Sequence, residues 1–64
     1  MKTTIRSERN KLGLTQSDLA LKAGVSRTVI AQLEAGSRTV VTSRTMQKIA
    51  EALESKVEDI FLLN

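Results

Sequence analysis

Apolar side chains recur along this chain at the three- and four-residue spacings of helices, and single glycines divide the pattern into segments. Ile5, Arg9 and Leu12 share one such spacing with Gly13 next, which predicts a first helix from about Thr4 to Leu12, closed by a left-handed glycine. Arg9 then points inward. A desolvated guanidinium needs a carboxylate partner or must reach water along its own stem. The second segment, Leu14 to Ala23, has a complete start: Thr15 as N-cap, Asp18 as its capping-box partner, and Leu14 with Leu19 as a hydrophobic staple. Gly24 ends it, and Val25 and Ser26 open a third helix at once, about Arg27 to Ala35, with Val25 and Ile30 repeating the staple. Helices joined by so few residues cannot continue in line, so this pair crosses at a steep angle.

Gly36 caps the third helix, and the loop from Ser37 to Val41 carries Arg38 and two valines. Val40 and Val41 either tuck under the domain or meet a partner chain. Thr42 caps a fourth helix to about Glu54, with Met46, Ile49, Ala50 and Leu53 as its apolar stripe. Ser55 and Glu58 form a second capping box before a short fifth helix whose apolar face is Val57, Ile60 and Phe61. Leu62 and Leu63 follow. They either fold back on the first helix or join Val40, Val41 and Phe61 in covering a second subunit. The expectation is all-α: one compact five-helix domain over 1–64.

The third helix has a side to spare. At about 100° per residue, Ile30 and Leu33 mark its buried side, while Arg27, Thr28, Ala31 and Gln32 share the opposite arc and Val29 and Glu34 stand at the borders. Arginine, threonine and glutamine are side chains that read base edges, the first matching guanine and the last adenine. The same arc would also serve as an ordinary solvated face.

Charge and composition narrow the alternatives. Residues 1–44 hold eight Lys/Arg against three acids, and residues 45–64 two against four, so the net charge of +3 conceals one basic and one acidic end. A cationic surface attracts polyanions, nucleic acid first among them. Cys and His are both absent, which removes thiolates, imidazole bases and the usual zinc ligands, and 64 residues make a large cleft implausible. We therefore expect no enzyme, no cofactor and no metal. With no apolar run of membrane-spanning length and no export signal, the expected location is the cytoplasm.

With these residues in hand, the chain resembles the phage repressor and Cro family of helix-turn-helix regulators, the XRE family, over essentially its full length. Counted from Gln16, the constrained motif positions are suitably filled by Leu19, Ala20, Ala23, Gly24, Val25, Ile30 and Leu33, with Ala20 small where the two helices cross. The resemblance implies a phage-repressor-like fold with helices two and three as the helix-turn-helix. It implies that Arg27, Thr28 and Gln32 contact bases, that Val29 and Ala31 flank them, and that Gln16 meets a phosphate beside its helix N-terminus. Ser26, Ser37, Arg38 and Arg44 are the further phosphate candidates, since Ala35 replaces a common polar contact. Arg9 and Glu34 occupy the positions of a buried ion pair. Glu54 stands where the family often has glycine and Lys56 where it has a serine or proline cap, so the turn into helix five is expected to be redrawn around Ser55.

The implied function is sequence-specific binding of double-stranded DNA by a homodimer, as a transcriptional regulator, without a small-molecule ligand or membrane. An antitoxin or restriction-modification controller would use the same fold. A protein-interaction module without DNA contact is the alternative from another class, and the polar arc beside Gln16 argues against it.

Overall fold

The computed structural model describes residues 1–38 and 40–62, and Leu63, named above for a subunit contact, lies outside them. Five helices follow in order: α1 (Ile5–Lys11), α2 (Gln16–Ala23), α3 (Arg27–Ala35), α4 (Ser43–Ala52) and α5 (Val57–Ile60). Two short strands, β1 (Lys2–Thr3) and β2 (Phe61–Leu62), flank them. No helix among the described residues is long and apolar enough to cross a membrane.

The helix starts follow their caps. Thr15 Oγ1 accepts the Asp18 N–H and Asp18 Oδ2 accepts the Thr15 N–H, both at 3.0 Å, so the capping box opens α2 as expected. Ser26 and Thr42 cap α3 and α4 by accepting from Val29 and Thr45. Gly24 adopts φ 72°, and the Val25 N–H then closes on the Ala20 carbonyl at 3.0 Å, turning the chain sharply between α2 and α3. That turn sets the crossing of the two helices. α2 packs on both α3 and α4, which makes it the hub of the domain.

Ile5, Leu19, Ile30, Leu33, Ile49 and Ile60 are the largest fully buried side chains, one or two from each helix. Each contributes about 1.5–3 kcal/mol by leaving water, so the six dominate the apolar stabilisation of so small a unit. Ala20 is buried at the α2 face as its small size requires.

Three features of the C-terminal end were not expected. The anticipated capping box at Ser55 does not form: Lys56 occupies the N-cap of α5 with no side-chain bond. Ser55 is already engaged, because its N–H closes α4 on the Ala50 carbonyl and its hydroxyl donates to the Leu53 carbonyl. The residue before it, Glu54, sits at φ 55°, in the conformation glycine would take freely. Secondly, the all-α fold carries a small addition, since β2 leaves α5 and pairs antiparallel with β1, Lys2 facing Leu62 and Thr3 facing Phe61. The Thr4 N–H and hydroxyl extend that closure to the Ile60 and Asp59 carbonyls at 2.9 and 2.8 Å. Thirdly, Phe61 belongs to the core, only 2% exposed, and so is withdrawn from any subunit surface. The two loop valines divide: Val41 packs against the core, while Val40 is 76% exposed.

Candidate nucleic-acid interface

The site begins with the pair that locks its frame. Arg9 meets Glu34 in a fork, Nε donating to Oε2 at 3.0 Å and Nη2 to Oε1 at 3.1 Å, and its Nη1 donates to the Leu14 carbonyl at 2.9 Å. Side-chain exposures of 12% and 7% make this a part-buried pair, and the inward arginine thereby finds its carboxylate. The hydrogen bond to Glu34, with the carboxylate's charge added, raises the Arg9 pKa against the opposing effect of burial, so the guanidinium stays charged. The Asp18 carboxyl is held below its ordinary value, first by the Thr15 backbone N–H and then by the Thr15 hydroxyl.

Gln16 departs from the simplest expectation. Its Nε2 donates to Glu34 Oε1 at 3.3 Å, so the amide that was to meet a phosphate is joined to this pair. A phosphate at the α2 N-terminus would then find the backbone N–H groups, with the glutamine held beside them. A hollow of about 270 Å³ opens there, lined by Arg6, Arg9, Gln16, Ala31, Glu34 and Ala35. Arg6 is exposed on its rim and was not singled out from sequence. Its position one turn before Arg9 was the available signal.

The face of α3 forms as the helical wheel implied. Arg27, Thr28, Ala31 and Gln32 line one shallow hollow of about 400 Å³, with Arg27 and Thr28 exposed and the other two half-buried. Val29 does not join them. It is half-buried and packs against the core. Ser26 Oγ is occupied as an acceptor by its capping bond and retains its own O–H to donate. Ser37 is exposed, with its hydroxyl bonded to the Gln32 carbonyl, and Arg38 is half-buried, its Nε donating to Gln32 Oε1 at 3.0 Å. Arg44 is exposed in the first turn of α4.

This geometry sets a polar, cationic helix face beside a second helix N-terminus, the pair braced by an internal salt bridge. A helix-turn-helix family model matches residues 5–60, nearly the whole chain. The chain belongs to the Cro/C1-type helix-turn-helix family of transcriptional regulators. A helix-turn-helix-type transcriptional regulator of Methanothermobacter thermautotrophicus is 45% identical over 65 residues, covering all of this chain and 93% of its own. Among solved structures, SinR, a master regulator for biofilm formation in complex with DNA, is 28% identical at a TM-score of 0.80, over 84% of this chain and 86% of its own. The restriction-modification controller C.AhdI of Aeromonas hydrophila is 32% identical at the same TM-score, over 89% and 85%. The DNA-binding fold of the Cro/C1-type family is thus present from α1 to α5.

Proposed function

We propose that this protein is a sequence-specific DNA-binding regulator, a cytoplasmic repressor rather than an enzyme, acting as a homodimer on an inverted-repeat operator. The observation that carries this reading is the hollow on α3, where a guanidinium, a hydroxyl and an amide are presented together on a helix narrow enough for the major groove. The SinR complex with DNA supports the same use of a similar fold. In this arrangement α3 enters the groove and α2 crosses the backbone, with its N-terminal amides toward a phosphate. Two copies would set their α3 helices about 34 Å apart, one turn of DNA, which is why the operator should be an inverted repeat. Of the described residues expected at a subunit contact, Val40 and Leu62 are exposed.

Selection of bound sequences from a random DNA pool tests this directly. The expected result is a palindromic site, and Arg27→Ala should cost about 1–3 kcal/mol while relaxing one base position in each half. Equal loss on selected and random duplexes would remove Arg27 from the reading role.

A further inference from the structure

The reading face contains a bond between two residues to which sequence assigns separate tasks. From the 3.0 Å hydrogen bond between Arg38 Nε and Gln32 Oε1, we propose that Arg38 is a positioning residue. It fixes which end of the Gln32 amide faces the groove, and so sets the base preference where Gln32 reads. This rests on the DNA-reading function above.

A glutamine amide is nearly symmetric in shape and its terminal torsion is broadly two-fold, so a free side chain presents oxygen or nitrogen on a given side. The two orientations suit different bases: adenine shows a donor beside an acceptor in the major groove, guanine two acceptors. An unconstrained glutamine therefore discriminates weakly. Arg38 removes the ambiguity by elementary chemistry, because a guanidinium carries donors and no acceptor, and the atom facing it must be the oxygen. The NH2 group is left on the far side, and the oxygen keeps one lone pair. Only one order of donor and acceptor then meets the DNA.

The loop holds Arg38 in place for this task. Gly36 turns the chain at φ 77°, the Ser37 N–H and hydroxyl both donate to the Gln32 carbonyl at 3.0 and 3.3 Å, and Arg38 Nη1 donates to the Val40 carbonyl at 3.5 Å. Gln32 is gripped at its backbone by one loop residue and at its amide by the next. A guanidinium has five N–H donors, so those left over still suit a phosphate, and backbone contact and base choice become coupled.

The test compares binding of the whole protein to duplexes carrying each of the four bases at every operator position, for the wild type, Arg38→Ala, Arg38→Lys, Gln32→Ala and the double variant, with thermal melts alongside. Arg38→Ala should flatten the preference at the same position as Gln32→Ala, by roughly 5- to 100-fold, and the double variant should be no flatter than Gln32→Ala alone. Arg38→Lys, which keeps a donor and the charge, should restore part of the preference. If Arg38→Ala weakens every duplex equally and leaves the profile intact, Arg38 is a phosphate anchor only and the proposal fails. Where Arg38→Ala lacks a cooperative melt, Arg38→Met, which retains the aliphatic stem, makes the same comparison. A wild type that selects no sequence at all would overturn the DNA-reading function itself.

Discussion

Glu34 accepts hydrogen bonds from two of the three Arg9 guanidinium nitrogens and from Gln16, so one carboxylate ties α1 and the start of α2 to the end of α3. Replacing it by alanine leaves a part-buried guanidinium without its carboxylate, and Glu34→Ala should lose about 1.5–3 kcal/mol in urea unfolding, whereas Arg9→Met with Glu34→Leu should recover most of that. A Glu34→Ala protein within about 1 kcal/mol of the wild type would show that Arg9 finds water instead. The need of Arg9 for a carboxylate was legible in sequence because an arginine on an apolar stripe has few ways to be satisfied; Glu34 as that partner is implied by the resemblance to phage repressors, and its place at the border of the buried side of α3 agrees. Gln16 joining them was not legible. An amide's choice between a phosphate and a carboxylate depends on side-chain geometry that no spacing encodes. The same holds for Arg38, whose loop position suggests an anchor and whose actual partner is the amide of Gln32.

Four helix ends close by one device, an N–H that bonds the carbonyl five residues back: Leu14 to Arg9, Val25 to Ala20, Ser37 to Gln32 and Ser55 to Ala50, at 2.9–3.0 Å. The residue before each donor is left-handed, and the fourth is Glu54 where the others are glycine. A side chain there costs about 1–2 kcal/mol. Glu54→Gly should therefore stabilise the domain by about 0.5–1 kcal/mol after the added freedom of the unfolded chain is counted, raising Tm by about 4 °C. The loss of an exposed contact to Lys22, 3.7 Å away, subtracts little. An unchanged or lower Tm would mean that Glu54 is not strained. The three glycine ends were readable because glycine announces the turn. The fourth carries no such mark, so Ser55 read as the start of α5 when it finishes α4. Strands of two residues are likewise too short to show alternation, and β1 and β2 went unseen until the chain was folded.

At the scale of the whole molecule, charge is divided along the chain, with the basic excess in residues 1–44 that hold the α3 face. The logarithm of affinity for any duplex should fall linearly with the logarithm of salt concentration. Arg44, exposed at the start of α4, should contribute through this field alone: Arg44→Ala should reduce the salt slope by about 0.9 and leave base preference unaltered. A changed preference would make Arg44 a reader. Beyond binding, the pairing of Lys2 with Leu62 gives the fold a mechanical character. Tension between those two residues acts across the strands rather than along them, so their hydrogen bonds would break in succession instead of resisting together. Such a pull would open the domain as a zipper opens, beginning at the seam and reaching Phe61 before any helix is loaded.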